Sequence, residues 1–405
     1  MKTYEKSHKL DHVCYDIRGP IMDEANRMIR AGEDVMKLNI GNPAYFGFKT
    51  PEPLLKAMAE NLPNTEGYTD SHGLMSARRA IVDYCKEKGI PNVCVDDVFT
   101  GNGVSELITL SMQGLLDNGD EVLVPAPDYP LWTASVTLAG GTAVHYICDE
   151  KSGWLPDLDD MRKKVTPRTK AIVVINPNNP TGVVYPREIL EGIVKIAREF
   201  DLILYADEIY DRLVMDGIEH VALASLAPDL LTVSFNGLSK SHLMAGYRVG
   251  WMCLAGDKRR YKGYIEGINL LSAMRLCSNA PGQSLIAPAL AQRESTKEML
   301  VPGGRVYEQR ECIYRMLNDI PGVSAVRPQA AFYIFPKIDV KRFNIHDDEL
   351  FALDLLKQEK ILITHGRGFH WINPDHFRIV YLPQVDVLSA ACEKMKHFFE
   401  HYTQA

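Results

Sequence analysis

Residues 170–210 read KAIVVINPNNPTGVVYPREILEGIVKIAREFDLILYADEIY and contain two short apolar runs on either side of an amphipathic segment. The runs KAIVVIN (170–176) and LILYAD (202–207) are rich in β-branched and aliphatic residues, which is typical of buried strands. Between them, residues 187–200 carry apolar side chains at three- and four-residue spacing, and this spacing predicts a helix with one buried face. A strand, a helix and a second strand in succession predict a mostly parallel α/β sheet.

Further apolar runs on both sides of this unit extend the predicted sheet. They are EVLVP (121–125), LTVSFN (231–236) and RVGWMCLAG (248–256). In open α/β sheets, ligands bind beyond the carboxyl ends of the strands. We therefore expect the functional residues just after Asn176, Asp207 and Asn236.

The C-terminal third of the chain predicts a smaller α+β domain. Its predicted elements are a helical region over about residues 295–318, an extended run FYIFPKI (332–338), a helix around 348–358, an extended run FRIVYL (377–382) and an amphipathic stretch over 384–400. The chain is thereby divided into three parts. These are an N-terminal arm over 1–45 that joins the small domain, a large domain over 46–290 and the small domain over 291–405.

The composition is that of a globular protein with an acidic surface. The 405 residues are 46% hydrophobic and 24% charged, which argues against disorder. Lys and Arg number 45 against 52 Asp and Glu, the formal net charge is −7, and no basic run stands out. Because such a surface repels a polyphosphate backbone on average, we expect no nucleic-acid partner.

The cysteines and the N-terminus predict a cytoplasmic protein. The cysteines form no C-x-x-C pair, so we expect reduced and mostly buried thiols. They lie at positions 14, 85, 94, 148, 253, 277, 312 and 392. Residues 1–19 are polar and lack the apolar segment of a secretory signal. The longest run without a formal charge, residues 129–148, contains Pro, Gly-Gly and several hydroxyl side chains, so we expect no membrane span.

Three short polar segments follow predicted strands. They are NPNNPTG (176–182), DEIY (207–210) and Ser239-Lys240-Ser241, the last followed by Arg248. Taken singly, each has an ordinary structural explanation as a turn-rich loop, a helix cap or a surface lysine. Their order and spacing together point to one site.

In this order the segments resemble the aspartate aminotransferase superfamily, the class I, fold-type I enzymes that use pyridoxal 5'-phosphate. The resemblance runs from about Leu38 to Arg378. The matching segments are LNIGNP (38–43), Tyr68 with Gly73, GNGVSEL (101–107), PDYP (127–130), NPNNPTG (176–182), DEIY (207–210), SKSHLMAGYRVG (239–250) and FRI (377–379). It implies a large cofactor-binding domain with a mostly parallel seven-stranded sheet, a smaller α+β domain and a homodimer.

The resemblance also implies roles for the residues around the cofactor ring. Lys240 forms the Schiff base and then carries the substrate proton as general base and acid. Asp207 keeps the pyridine nitrogen protonated, while Asn179 and Tyr210 donate to the phenolate oxygen. The spacing in DEIY predicts that Asp207 and Tyr210 lie on the same side of a helical turn. Tyr129 stacks on the ring.

The phosphate of the cofactor needs donors and a cation. GNGVSEL predicts a glycine loop that enters a helix, so the N–H groups of Val104 and Ser105 meet the anion at a helix N-terminus. The resemblance assigns the cation to Arg248 and a further contact to Tyr68 of the neighbouring subunit.

One position departs from the family. Members often carry a phosphate-binding serine three residues before the lysine, and this chain has Gly237 there. The phosphate site is one hydroxyl short unless Ser239 or Ser241 replaces it, and this puts cofactor affinity in doubt.

The substrate residues follow from the same resemblance. Arg378 matches the arginine that binds the α-carboxylate in a planar fork. Gly41 matches a position whose backbone meets that carboxylate, and Asn179 is expected beside it.

The N-terminal segment Tyr15-Asp16-Ile17-Arg18-Gly19-Pro20 is similar to one in alanine aminotransferases, and the whole pattern resembles the bacterial glutamate–pyruvate enzymes. Arg18 is the candidate that closes on the second carboxylate of glutamate, and Tyr15 is the candidate lining the small pocket. An ordinary surface arginine before a turn is the alternative for Arg18. The expected activity is ping-pong amino transfer between L-alanine and 2-oxoglutarate, giving pyruvate and L-glutamate.

Other substrates and other functions remain open. Valine, aspartate or aromatic amino acids could be donors, and a pyridoxal-phosphate lyase or decarboxylase on the same fold would share the cofactor residues. A regulator would need a DNA-binding module, for which the segment before Gly41 is short and not basic. A dehydrogenase is disfavoured because Glu106 interrupts the glycine fingerprint. We expect no metal site, and the spacing of His365, His370 and His376 does not suggest one.

Overall fold

A mixed eight-stranded sheet forms the centre of the large part of the molecule. The computed structural model describes residues 3–11, 13, 19–292 and 296–405. The strands of the sheet are β1 (Val98–Asn102), β2 (Glu121–Ala126), β3 (Thr142–Asp149), β4 (Leu155–Pro156), β5 (Thr169–Ile175), β6 (Ile203–Asp207), β7 (Thr232–Gly237) and β8 (Val249–Ala255). Their order across the sheet is β1-β8-β7-β6-β5-β2-β3-β4.

The sheet is mostly parallel, as expected. β8 runs antiparallel to both of its neighbours, β1 and β7, and β4 runs antiparallel to β3 at the edge. The remaining neighbours are parallel. The seven-stranded sheet is therefore present with one addition, the two-residue strand β4, which forms because a turn at Gly153 (φ 74°) folds the chain back onto β3.

The five strands predicted for the central sheet all form, with ends within one residue of the expected positions, whereas the run FRIVYL (377–382) forms a strand only over Phe377–Val380. The amphipathic segment between β5 and β6 is the helix Arg187–Glu199, whose buried residues include Leu190, Ile193 and Val194. Apolar side chains at this spacing face the sheet, and the charged ones face solvent. The helices of the described residues are Pro20–Arg30, Glu52–Asn61, Met75–Glu87, Val104–Leu115, Leu131–Leu138, Leu158–Lys164, Arg187–Glu199, Leu238–Ser241, Lys262–Met274, Ala280–Gln283, Ile286–Ala291, Arg305–Asn318, Asp348–Glu359 and Val385–His401.

The C-terminal third contains short strands and three long helices packed around a core of its own. The strand Val323–Ser324 pairs with Lys337–Ile338. The strand Phe377–Val380 lies between Tyr333–Ile334 and Thr364–His365. The strand Ile361–Leu362 pairs with Met36–Lys37. The first long helix, Pro20–Arg30, buries Ile21, Ala25 and Met28 in the same core. The N-terminal segment thus packs on the C-terminal part of the chain.

Two details of this part differ from the sequence-based expectation. The helix expected from about residue 295 begins at Arg305, because Pro302, Gly303 (φ 84°) and Gly304 interrupt it after a single 3-10 turn. The run FYIFPKI divides into two short strands at Pro336, which has no N–H to donate to a ladder.

The seven cysteines within the described ranges are all free thiols, and five of them are buried. Among the helices of those ranges, none has the length and apolarity needed to cross a lipid bilayer.

Candidate active site

A cavity of about 350 Å³ lies at the carboxyl ends of β5, β6 and β7, where the sheet rule places a ligand. Asp207 ends β6, Asn179 follows β5 and Lys240 follows β7. The predicted site residues that line this cavity are Gly41, Val104, Ser105, Tyr129, Asn179, Asp207, Tyr210, Lys240, Arg248 and Arg378. Residues far apart in the sequence therefore meet in one place.

Lys240 sits on the short helix Leu238–Ser241 that follows β7. Its Nζ donates a hydrogen bond to the carbonyl oxygen of Gly41 at 2.9 Å. A side chain at Gly41 would overlap the ring of Tyr333, since a Cβ there would lie 2.8 Å from the ring carbon Cζ. The glycine is required by this close approach and brings a backbone carbonyl next to the lysine amine.

Asp207 is a buried carboxylate with two donors. Its Oδ2 accepts a hydrogen bond from Trp132 Nε1 at 3.0 Å, and its Oδ1 accepts a weaker one from the N–H of Ile209 at 3.4 Å. Burial raises the pKa of Asp207 to about 6 despite these donors. A carboxylate in this position favours a cationic partner in the cavity, because a buried charge is costly unless it is paired.

Tyr210 lies in the cavity with Asp207, but the prediction that a helical turn joins the two residues is wrong. The residues after Asp207 form a chain of tight turns, in which the N–H of Asp211 donates to the carbonyl of Glu208 at 3.0 Å. The hydroxyl of Tyr210 donates to the hydroxyl of Tyr333 at 3.0 Å. Both rings are buried and meet edge to face.

Tyr333 is surrounded by the functional groups of the site. Burial alone would raise its pKa, but the positive charges of Lys240 and Arg378 outweigh burial and lower it. Its hydroxyl, which accepts from Tyr210, therefore lies among the groups that handle charge in this cavity.

Hydrogen bonds and two aromatic rings hold the guanidinium group of Arg378. Its Nη1 donates to Asn179 Oδ1 at 3.0 Å, and its Nη2 donates to the carbonyl of Asn39. The rings of Tyr333 and Phe369 each lie 4.6 Å from its Cζ atom, so cation–π contacts hold the guanidinium plane. A planar fork held in this way can bind a carboxylate in one orientation.

The opposite end of the cavity has the features of an anion site. The helix Val104–Leu115 begins at the predicted residue, after Gly103 with φ 82°. Arg248 donates through Nη1 to the carbonyl of Ala245 at 2.9 Å and through Nη2 to that of Asn102 at 3.4 Å. The helix N-terminus and the guanidinium thus reach the same end of the cavity, an arrangement that suits a phosphate.

The departure at Gly237 has a steric cause. A Cβ at Gly237 would lie 2.6 Å from the carbonyl oxygen of Val249 and 3.0 Å from the Cα of Gly250. Gly250 is confined in turn, because a Cβ there would lie 2.6 Å from the nitrogen of Val104. No serine fits at position 237 unless this backbone shifts.

Of the two serines considered as replacements, Ser239 lines the cavity and Ser241 does not. The hydroxyl of Ser241 donates to the carbonyl of Gly237 at 3.1 Å and contacts His242 Nδ1 at 2.8 Å. Of the two serines, Ser239 is therefore the one with a place in the cavity wall.

Some predicted residues lie elsewhere. Tyr68 is 82% exposed and does not line the cavity of its own chain. Tyr15 and Arg18 lie outside the described residues, so their roles stay predictions. Of the histidines considered together, His370 bonds through Nδ1 to Asp128 and His376 bonds through Nδ1 to Asp375, each at 2.7 Å.

Four residues that the sequence did not single out contact the predicted ones. They are Asn39, Trp132, Tyr333 and Phe369. Trp132 comes directly after the PDYP segment and Tyr333 lies in a predicted strand, so both were near recognised features. Their contacts depend on how distant segments pack, which no local pattern indicates.

The comparisons with known proteins agree with this geometry. The family described as aminotransferase class I and II matches residues 33–394. The chain is 57% identical over 404 residues to the glutamate-pyruvate aminotransferase AlaA of Haemophilus influenzae, covering 100% of both chains. It is 52% identical over 404 residues to the alanine aminotransferase of Mycobacterium bovis, covering 100% of this chain and 94% of that protein. An aminotransferase structure from Escherichia coli superposes with a TM-score of 0.99 at 56% identity, covering 100% of both chains. The chain therefore belongs to the aminotransferase class I and II family.

Proposed function

We propose that this protein is a pyridoxal 5'-phosphate-dependent alanine aminotransferase that transfers an amino group between L-alanine and 2-oxoglutarate, giving pyruvate and L-glutamate. The observation that carries the proposal is the meeting of Lys240, Asp207 and Arg378 in one cavity. The relative that is 57% identical over its full length is named for glutamate and pyruvate, the two products of this reaction. The two half-reactions follow each other in ping-pong order.

The residues of the cavity suit the cofactor. When bound, pyridoxal phosphate supplies a cationic ring that accepts the electron pair released when the substrate Cα–H bond breaks. Asp207, a buried carboxylate with a raised pKa, has the charge that holds a ring nitrogen protonated. Asn179 and Tyr210 have hydrogen-bond donors for the phenolate oxygen, and Tyr129 offers an aromatic face.

At the phosphate end, Val104 and Ser105 offer backbone N–H groups and Arg248 a cation. Ser239 is the hydroxyl that makes up for Gly237. Together these groups provide the donors and the charge that a phosphate requires.

The substrate residues divide the work between orientation and proton transfer. Arg378, held by Asn179 and two rings, binds the α-carboxylate and fixes the amino acid in one orientation. Lys240 Nζ takes the proton from the substrate Cα as general base and returns it as general acid in the reverse direction. The carbonyl of Gly41 holds that amine on the side where the carboxylate binds.

We also propose that the working unit is a homodimer in which Tyr68 reaches the phosphate of the partner subunit. Met274 is 72% exposed, and its neighbour Arg275 donates through Nη2 to the carbonyl of Ser71 at 3.3 Å, which brings it near the Tyr68 segment. Leu270 and Leu276 are exposed close by. Apolar side chains exposed together in this way favour burial against a second copy.

The division into an arm (1–45), a large domain (46–290) and a small domain (291–405) is part of the same proposal. It is supported by the pairing of Met36–Lys37 with Ile361–Leu362. A cytoplasmic location is supported by the free thiols of the described residues, since reduced cysteines are typical of that compartment.

The experiment that tests the function uses purified protein loaded with pyridoxal phosphate. Alanine with 2-oxoglutarate should give pyruvate continuously, whereas alanine alone should give one equivalent of pyruvate per active site and then stop. Continuous turnover of alanine alone would favour a lyase or decarboxylase instead. A panel of valine, aspartate and aromatic donors, each with pyruvate or 2-oxoglutarate, defines the donor range.

Arg18 is tested by its substrate dependence. If Arg18 binds the distal carboxylate, Arg18→Ala should lower kcat/KM for glutamate and 2-oxoglutarate by about tenfold to a hundredfold, because a charge-assisted pair is lost. The alanine half-reaction should change little, since alanine has no second carboxylate. Single-turnover rates with each amino acid measure the difference, and Arg378→Ala is the comparison that should penalise both. Equal losses for alanine and glutamate in the Arg18 variant would show that the distal carboxylate is bound elsewhere.

A further inference from the structure

A buried polar cluster lies directly behind Tyr129, and the functions assigned above do not use it. It consists of Asp128, Thr133, His145 and His370, and we call it the Asp128 cluster. Asp128 is fully buried, and its Oδ1 accepts a hydrogen bond from His370 Nδ1 at 2.7 Å. Its Oδ2 accepts from Thr133 Oγ1 at 2.7 Å, and that hydroxyl contacts His145 Nε2 at 2.9 Å. The two imidazole rings stack with centroids 4.7 Å apart.

The cluster joins two segments that are 242 residues apart in the sequence. Besides the side-chain bond between Asp128 and His370, the N–H of Asp128 donates to the carbonyl of Phe369 at 2.9 Å. The residues next to these bonds, Tyr129 and Phe369, both line the cavity. The ring of Phe369 lies against the Arg378 guanidinium. Two adjacent hydrogen bonds thus fix the relative position of a large-sheet loop and the ring over the carboxylate site.

The backbone of His370 lies in the left-handed region, with φ 55° and ψ 24° after the turn Gly366–Phe369. This region is uncommon for residues other than glycine, although histidine adopts it more often than most. The choice of substitutions at this position therefore has to respect the backbone. The role of the side chain visible in the structure is the hydrogen bond to Asp128.

The charge of Asp128 is consistent with such a role. Burial would raise the pKa of this carboxyl, but the hydrogen bonds and charges of its two histidine neighbours outweigh burial and lower it. Hydrogen bonds to an ionised acceptor are stronger than those between neutral groups. The bond from His370 therefore holds the Phe369 turn more firmly than a neutral pair would.

We propose that Asp128 and His370 are positioning residues of the substrate site, whose hydrogen bond keeps Phe369 against Arg378 and Tyr129 in the cavity wall. The inference rests on the proposed function for the identity of the substrate carboxylate. Neither Asp128 nor His370 contacts the substrate, and both act through the neighbouring residues Tyr129 and Phe369.

The same side chains also form a set of metal-type donors, since atoms of Asp128, His145 and His370 lie within 4.8 Å of one another. A carboxylate with two imidazoles is a donor set that zinc can use. The carboxylate oxygens are, however, already bonded to His370 and Thr133 at 2.7 Å. The geometry favours the hydrogen-bonded unit, and zinc binding becomes an outcome of the test.

The test compares two substitutions at one position. His370→Asn keeps a donor near the place of Nδ1 and tolerates the left-handed backbone, whereas His370→Gly tolerates the backbone and removes the donor. The pair separates the hydrogen bond from backbone strain. Asp128→Asn, which replaces one acceptor with an amide donor, is the second variant in case His370→Gly does not fold.

The main readout is binding of propionate, an unreactive carboxylate, to the enzyme loaded with pyridoxal phosphate, followed by absorbance. His370→Gly and Asp128→Asn should bind propionate about tenfold more weakly, as expected for loss of a charge-assisted bond, and His370→Asn should stay within about twofold of wild type. In turnover the loss should appear mainly in KM for alanine and 2-oxoglutarate rather than in kcat. The unfolding temperature of His370→Gly should fall by a few degrees, because a buried carboxylate loses a donor, and the titrations are therefore carried out well below the unfolding transition of each variant.

Equal propionate affinity in wild type and His370→Gly would overturn the proposal. So would equal weakening in His370→Gly and His370→Asn, because the donor would then not matter. A zinc-dependent rise in unfolding temperature that wild type shows and both His370 variants lack would replace the proposal with a metal site. If wild type failed to transaminate alanine, the proposed function would fall, but the propionate titrations would still decide the positioning role.

Discussion

Replacement of Lys240 by alanine should reduce the alanine half-reaction by at least about a thousandfold, because the group that moves the Cα proton is lost. The variant should still bind pyridoxal phosphate, since the anion site and Asp207 do not depend on this side chain. The amine of Lys240 contacts the Gly41 carbonyl and Tyr333 in the cavity wall, and loss of these contacts should leave the fold intact. Single-turnover rates with alanine measure the loss, and absorbance measures cofactor retention.

Lys262→Ala is the matched control, because Lys262 is an exposed lysine at the start of the helix Lys262–Met274 and lies outside the cavity. It should behave like wild type. Borohydride reduction of the loaded wild-type enzyme, followed by peptide mapping, should place the cofactor on Lys240. Attachment to any other lysine would show that the assignment is wrong.

Asp207→Asn should slow the alanine half-reaction by about a hundredfold to a thousandfold or more, the range found when a group that stabilises developing charge is removed. An amide has nearly the shape of the carboxylate but lacks the charge that keeps a ring nitrogen protonated. Trp132→Phe is the graded companion, since it removes the 3.0 Å bond to Asp207 and part of the indole packing but leaves the carboxylate in place, and it should slow the half-reaction less. A normal half-reaction in Asp207→Asn would remove Asp207 from the mechanism.

The same substitution should stabilise the cofactor-free protein. Burial raises the pKa of Asp207 to about 6 in the folded protein, above its pKa in the unfolded chain. At every pH above that unfolded-state pKa, ionisation of Asp207 lowers the free energy of unfolding. The cost grows as the pH rises from about 4 to 6 and then stays constant at about 3 kcal/mol. Urea unfolding should show Asp207→Asn more stable than wild type at pH 8, with a smaller difference at pH 5. An unchanged difference between these pH values would contradict the assignment of the effect to Asp207.

The sequence was most informative where a functional residue follows a strand directly. Asp207 ends an apolar run, and Asn179 and Lys240 follow two others, all with ends that could be placed within one residue, so the sheet geometry brings the three residues together. The eighth strand was missed because two residues give no periodic signal. The start of the helix at Arg305 depends on a Pro-Gly-Gly break that the apolar spacing alone obscured.

The contacts made through aromatic rings could not be predicted in this way. Trp132 donates to Asp207 because its ring packs against the rings of Tyr205 and Phe235 on neighbouring strands, and Tyr333 meets Tyr210 across 123 residues of sequence. Each ring looks like an ordinary core residue in its own segment. Their roles appear only when the packing of distant elements is known.

The close packing of Gly237, Gly250 and Val104 also limits how this sequence can change over evolutionary time. A serine at position 237 would press on the backbone of Val249 and Gly250, and Gly250 is itself packed against the backbone of Val104. A change to serine is therefore closed as a single substitution and opens only after neighbouring positions have changed. The residue permitted at 237 depends on the residues around it, so a substitution there can be judged only together with positions 249, 250 and 104.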